Sequence, residues 1–178
     1  RLPYSALLKI SVVFRENHFD VQCIVRRTAN DIFVYDVYGR DEKVVIGGLA
    51  IDIGTTTVSA LLVNMQTGEI LGKASAGNGQ IRYGADVINR IIESMKPGGS
   101  EKLQDAVVNE TINPMIEQMC RSCGFSPLHI YRMCIASNTT MNHLLTGMNG
   151  DPIRMEPYIP TFYKTNSPHR FQNAPYMN

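Results

Sequence analysis

A carboxylate beside a glycine-threonine turn is the part of this sequence best suited to chemistry. Asp52 interrupts the apolar run Leu49–Ile53, and a Gly-Thr-Thr-Thr string follows it directly. A glycine in a tight turn lets backbone N–H groups approach a phosphate closely, and threonines add hydroxyl donors. A carboxylate at the end of a strand can hold Mg²⁺, usually through water. The motif therefore predicts a phosphate-tail site with Mg²⁺ on Asp52 and phosphate contacts at Gly54, Thr55, Thr56 and Thr57.

Two further polar segments could face the same ligand. Gln80–Ile91 contains the candidates Gln80, Tyr83, Gly84 and Asp86, and Ala136–Gly147 contains Asn138, Thr139 and Thr140. A helix that begins at such a residue has free N–H groups, which favour anions. Each segment also has a purely structural interpretation, as a loop followed by a helix N-cap. The Asp52 motif has a structural interpretation as well, in which a buried aspartate caps its own turn.

The hydrophobic pattern predicts the elements that must position these motifs. Three consecutive antiparallel strands and a later fourth are predicted at Leu49–Ile53, Val58–Asn64, Ile70–Ala76 and His129–Ala136. Amphipathic helices are predicted at Ala85–Met95 and at Glu101–Cys123. The N-cap chemistry of residues 137–140 predicts a short helix that ends at about Leu145. Pro114 lies inside the second helix, and because proline lacks a backbone donor it predicts a kink or break near Thr111–Asn113.

The first 46 residues predict a separate, small β-rich segment. Apolar and polar residues alternate over Phe19–Val25, and Ile32–Tyr38 is rich in β-branched and aromatic residues, so the two predict a hairpin. A lone hairpin is only marginally stable in water and should pack on something. We therefore divide the chain into the end of one domain at 1–46 and a second domain at 47–178.

Composition narrows the function classes. The 17 Lys+Arg and 16 Asp+Glu residues give a formal net charge of +1, which offers no argument for nucleic acid or for an anionic membrane surface. No apolar run reaches the roughly 20 residues of a membrane span. The four cysteines show no disulfide spacing, which favours a reduced, cytoplasmic setting. Cys120 and Cys123 form a CxxC that is interpreted as two ordinary thiols at a helix end, with a metal or redox pair as the alternative.

Together the three motifs resemble the reductive activators of corrinoid proteins, a family of ferredoxin-fused ATPases. Sugar kinases and chaperones share only the first motif. The predicted β-β-β-α-α-β-α order resembles a ribonuclease-H-like half-domain of the actin-like ATPases (ASKHA), so the expected fold class is α/β, preceded by the small β-rich segment. The tail after Tyr163 fits the family pattern poorly.

The resemblance implies ATP and Mg²⁺ as cofactors and a corrinoid protein as partner, with a homodimer possible. A 2Fe-2S cluster is expected only in an N-terminal domain that this chain lacks, since four cysteines in a ferredoxin spacing are absent. The implied function is ATP-dependent reduction of corrinoid cobalt from Co(II) to Co(I). The alternatives are a small-molecule kinase of the same superfamily and a non-catalytic module that binds a partner protein.

The resemblance also implies a role for each candidate residue. Asp52 and Asn138 would be catalytic, Asp52 would organise the metal, and Gly54 through Thr57 would hold the terminal phosphates. Gln80, Tyr83, Gly84 and Asp86 would sit at an interdomain cleft near nucleotide or partner. Asn138, Thr139 and Thr140 would lie at a strand end that faces the same cleft.

We predict that this chain by itself shows weak or no ATP turnover, because the resemblance leaves half of the nucleotide site outside it. Isothermal titration of the purified chain with ATP and Mg²⁺ is the check. Tight binding of ATP to the chain alone would contradict the expectation.

Overall fold

The computed structural model describes residues 3–161. They fall into two compact units that meet in sequence between Val44 and Val45. The expectation for the tail after Tyr163, and the end of the domain predicted at 47–178, lie outside the described residues. Within residues 3–161 no helix has the length and apolar character needed to cross a membrane.

The first unit combines one helix with the predicted hairpin. Helix α1 spans Tyr4–Glu16, and strands β1 (Val21–Arg27) and β2 (Ile32–Gly39) pair antiparallel, which confirms the hairpin. The helix packs on β2 and gives the hairpin the support that it needs. Within the unit, Lys9 forms an ion pair with Asp36 and lies over the Tyr38 ring.

The sequence interpretation of residues 1–46 as a small β-rich segment missed helix α1. Ala6 is fully buried, but Leu7, Leu8 and Val12 are all at least half exposed. The apolar residues of α1 are therefore spread around the helix instead of lying on one buried face. The 3.6-residue period, which carries the helical signal in a sequence, is correspondingly weak.

The second unit is built on a four-stranded sheet with the order β5-β4-β3-β6. Its strands are β3 (Gly47–Ile53), β4 (Thr57–Asn64), β5 (Ile70–Gly77) and β6 (Ile130–Ser137). The first three form antiparallel pairs, and β6 lies parallel to β3 on its other side. All four predicted strands are confirmed within one or two residues at each end, and the mixed α/β class is confirmed with them.

Five helices accompany this sheet in the described residues. They are α2 (Val87–Ser94), α3 (Gly99–Val107), α4 (Asn113–Cys123), α5 (Thr139–Thr146) and the short α6 (Asp151–Arg154). A 3₁₀ turn at Gly79–Tyr83 connects β5 to α2, and a second one precedes β6. The predicted helices are present, and α6 is a short helix that was not among them.

A π-helical turn at Val108–Ile112 separates α3 from α4 and confirms the predicted break before Pro114. Proline has no N–H to donate to the carbonyl one turn earlier, so the regular helical ladder cannot run through it. The Thr111 hydroxyl donates to the Ala106 carbonyl at 2.8 Å and accepts from the Gly79 N–H at 3.0 Å. The irregular turn thus offers a hydrogen-bonding group to the loop that follows β5.

The core lies on one face of the sheet. Leu49, Ile51 and Ile53 of β3 alternate with exposed residues, as Val58, Ala60 and Leu62 do on β4. The helices and the π-helical turn contribute most of the other large core side chains, among them Leu103, Val107, Ile112, Ile116, Met119, Met141 and Leu144. Because side chains alternate across a strand, the residues between the core positions, Asp52 among them, emerge on the opposite, open face.

Ile116→Ala should lower the free energy of unfolding by about 2–5 kcal/mol, because the side chain is fully buried and its removal leaves a cavity. Leu128→Ala is the control, since Leu128 is 82% exposed and its truncation should change stability by less than about 0.5 kcal/mol. Urea unfolding monitored by circular dichroism measures both values. Equal effects of the two substitutions would contradict the assigned core.

Candidate functional site

The turn between β3 and β4 is tight, and only glycine fits its first position. The Gly54 N–H donates to the Thr57 carbonyl at 2.9 Å. A Cβ at residue 54 would lie 2.7 Å from that same carbonyl oxygen, closer than real Cβ contacts come. Thr55 is half-buried, and Thr56 and Thr57 are exposed. The turn therefore presents threonine hydroxyls and backbone to solvent at the end of β3.

Asp52 is exposed on the open face of the sheet, beside this turn. It faces Ser59 across the antiparallel pair, and the Ser59 and Ser75 hydroxyls lie 3.2 Å apart. These side chains line an open groove of about 670 Å³ together with Lys73 and small residues of β3, β5 and β6. A carboxylate oxygen in an open groove is a ligand of the kind that Mg²⁺ prefers.

Asn138 joins the end of β6 to the same turn. Its Oδ1 caps α5 by accepting from the Met141 N–H at 2.9 Å, and its Nδ2 donates to the Thr55 hydroxyl at 3.2 Å. Thr139 is exposed in the first turn of α5, whereas Thr140 is buried. The structure thus places Asn138 next to the Gly54–Thr57 turn, and the N-terminus of α5 lies beside both.

The Gln80–Asp86 segment has mainly structural contacts. Gln80 is buried, with its Nε2 donating to the Leu103 carbonyl at 2.9 Å. Tyr83 packs against the core, with the Arg82 guanidinium 4.9 Å from its ring centre. Asp86 caps α2 by accepting from the Asn89 N–H at 2.8 Å. Contact of these residues with a nucleotide or partner stays a prediction, and in this structure Gln80 supports the loop from inside.

Gly84 is needed for close packing against α2. Its carbonyl accepts from Arg90 Nε at 2.8 Å, and a Cβ on Gly84 would lie 2.8 Å from the Arg90 backbone nitrogen. Arg90 is fully buried, and its Nη1 also points at the Met141 sulfur at 3.5 Å. Burial lowers the pKa of Arg90, and the nearby charge of Asp86 opposes that shift. The buried guanidinium therefore ties the Gly84 loop to α5.

Sequence reasoning missed Asn78, which lies next to the turn. Its side chain is 1% exposed and its Nδ2 donates to the Gly54 carbonyl at 2.9 Å. Its backbone N–H donates to the Thr56 carbonyl at 2.8 Å. The sequence signal is an Asn-Gly pair directly after a strand. This pattern is typical of an ordinary turn, so the sequence could not show that Asn78 supports the Gly54–Thr57 turn.

The CxxC does not build a metal site in the part of the chain that the structure describes. Cys120 is buried and Cys123 is exposed, and the Cys123 thiol lies 3.6 Å from the Cys120 carbonyl, at the end of α4. Burial raises the pKa of the Cys120 thiol. Among the described residues no group of three or more His, Cys, Asp or Glu side chains could hold a metal ion.

His143 is a core side chain, with Nδ1 2.8 Å from the Thr139 carbonyl oxygen.

Comparison with known proteins identifies the family. The sequence model of the RACo middle region matches residues 47–173. The corrinoid activation enzyme RamQ of Eubacterium limosum is 32% identical over 158 residues, which cover 88% of this chain and 26% of that protein. A solved structure titled reductive activator for corrinoid, iron-sulfur protein superposes with a TM-score of 0.75 at 36% identity, covering 90% of this chain and 26% of that one. The chain belongs to the RACo-like reductive activators of corrinoid proteins.

The chain spans about a quarter of the length of these two relatives, 26% in each case.

Asn138→Ala should lower the free energy of unfolding by about 1 kcal/mol, because it removes the cap of α5. Asn138→Asp is the matched variant: it keeps an acceptor for the Met141 N–H and loses the donor to Thr55. It should retain most of the stability in urea unfolding experiments. Equal losses for both variants would show that the cap is not the stabilising contact.

Proposed function

We propose that this chain forms the phosphate-binding half of a ribonuclease-H-like, actin-like ATPase domain. The complete protein would use ATP to drive the reductive activation of a corrinoid protein, from Co(II) to Co(I). The observation that carries the proposal is the placement of Asp52 at the end of β3, next to the Gly54–Thr57 turn and to the N-terminus of α5.

The sheet topology supports this placement. In open sheets, ligands bind outside the carboxyl ends of parallel strands. Strands β3 and β6 are parallel, with Ile53 opposite Ser137, so their carboxyl ends lie at one edge. Two antiparallel strands continue the sheet beyond β3, which is the arrangement expected of three hairpin-connected strands followed by a helical crossover.

The residues at this edge fit a magnesium–nucleotide complex by their donor chemistry. Asp52 offers carboxylate oxygens to the groove and would hold Mg²⁺ through water. Thr55, Thr56 and Thr57 would donate hydroxyl and backbone hydrogen bonds to the terminal phosphates, and the N-terminus of α5 would add its dipole. Bound Mg²⁺ neutralises charge that develops on phosphate oxygens. Asn138 would keep the Thr55 hydroxyl oriented through its 3.2 Å hydrogen bond.

The coupling to cobalt is inferred from the relatives. Their names describe corrinoid activation and reductive activation of a corrinoid, iron-sulfur protein. Reduction of Co(II) to Co(I) is uphill, so ATP binding and hydrolysis would drive it through closure of a cleft around the nucleotide. The electron would come from a 2Fe-2S cluster held by a part of the protein outside this chain.

Asp52→Asn in the complete protein should abolish or strongly slow the ATP-dependent recovery of Co(I) absorbance. The amide keeps the shape but loses the negative charge that organises Mg²⁺, and ATP turnover should fall by about 10- to 100-fold. Asp105→Asn is the matched control, since Asp105 is exposed on α3, a helix on the opposite face of the sheet, and should leave the rate unchanged.

Recovery of Co(I) that needs no ATP in the unmodified protein would overturn the proposal. Normal recovery by Asp52→Asn would overturn the role of Asp52 and leave ATP dependence intact. Phosphate transfer to a sugar or carboxylate in a metabolite screen would favour the kinase alternative instead.

A further inference from the structure

Asn78 makes an unusual number of contacts to the predicted phosphate turn and its surroundings. Its backbone N–H and its side-chain Nδ2 donate to two carbonyls of the turn, Thr56 at 2.8 Å and Gly54 at 2.9 Å. Its Oδ1 accepts from the Gln80 N–H at 3.0 Å, and Nδ2 also faces the Met141 sulfur at 3.8 Å. Both the donor and the acceptor of the side-chain amide are thus hydrogen-bonded, and the amide contacts the turn from the protein interior.

The residue after Asn78 fixes the loop to the helical layer. The Gly79 N–H donates to the Thr111 hydroxyl at 3.0 Å. A Cβ on residue 79 would lie 2.6 Å from the Ala106 carbonyl oxygen and 2.9 Å from the Thr111 hydroxyl, so only glycine can approach this closely. Thr111 is 4% exposed, and its hydroxyl in turn donates to the Ala106 carbonyl at 2.8 Å.

These contacts form one continuous path from the π-helical turn at Val108–Ile112 to the Gly54–Thr57 turn. Thr111 belongs to that π-helical turn, Gly79 hydrogen bonds to Thr111, and Asn78 bonds to Gly54. Both polar side chains in the path are buried, and losing a partner of a buried polar group costs its full desolvation. π-helical turns are frequent at functional sites, and here the π-helical turn supplies the Thr111 hydroxyl that holds the loop behind the Gly54–Thr57 turn.

We propose that Asn78 is a positioning residue for nucleotide binding: with Thr111 as its anchor, it fixes the Gly54–Thr57 turn in the conformation that receives the terminal phosphates. The proposal rests on the function proposed above, because it assumes that the turn binds phosphate. Asn78 itself is buried behind the turn and acts only through Gly54 and Thr56.

Asn78→Ala in the complete protein should raise the KM for ATP by about tenfold, because a turn released by even 1 Å loses aligned donors. Partial unfolding of a variant lowers kcat but leaves KM unchanged, so KM separates positioning from simple loss of folded protein. Thr111→Val, which removes the anchor hydroxyl at similar volume, should raise KM in the same direction. Thr111→Ser, which keeps the hydroxyl, should restore the original KM.

Gln104→Ala is the matched control. Gln104 also donates a side-chain amide to a backbone carbonyl at 2.9 Å, but that carbonyl belongs to Leu145 in the last turn of α5 and not to the Gly54–Thr57 turn. It should lower the melting temperature and leave KM for ATP unchanged. If Asn78→Ala fails to fold, the Thr111→Val and Thr111→Ser pair decides the question by the same measurement.

Amide hydrogen exchange without nucleotide separates this proposal from the proposed function. Asn78→Ala, or Thr111→Val in its place, should speed exchange of the Gly54 and Asn78–Gln80 amides by about tenfold relative to Gln104→Ala. Faster exchange in a protein that never uses ATP would refute the proposed function, but it would still show that Asn78 holds the Gly54–Thr57 turn in place. Unchanged exchange, or an unchanged KM in an ATP-dependent protein, would overturn the role of Asn78.

Discussion

The parallel pairing of β3 with β6 is the constraint on which the candidate site depends. It sets Ile53 opposite Ser137, so the residues that follow both strands meet at one edge of the sheet. Asp52 and the Gly54–Thr57 turn come from one strand, and Asn138 with the start of α5 comes from the other. Without this register the hydrogen bond from Asn138 to Thr55 could not form, and the polar groups would be scattered.

One-sided burial gives the site its access to solvent. Strands β3 and β4 bury alternate residues against the helical layer, so the intervening residues face away from the core. Asp52 is one of these, which explains how a charged residue can stand in an apolar strand without being buried. The helical layer then supports the turn from behind, through Thr111, Gly79 and Asn78.

Much of the second unit could be predicted from its sequence, because strand alternation and helical periodicity are strong there. The break before Pro114 followed from the chemistry of proline alone. Helix α1 could not be predicted, since its apolar residues do not share one face. The contact of Asn138 with the turn needed the strand register, and the burial of Gln80 and Asn78 needed the packing of α3 and α5, which no local pattern encodes.

We expect the turn after β3 to receive a nucleotide's terminal phosphates, with Mg²⁺ at Asp52. A crystal structure of the complete protein with Mg²⁺ and a non-hydrolysable ATP analogue tests it directly. The expected result is a set of hydrogen bonds from residues 54–57 to the terminal phosphates and a metal-bound water on the Asp52 carboxylate. Phosphates bound elsewhere, with Asp52 out of reach of the metal and its waters, would contradict it.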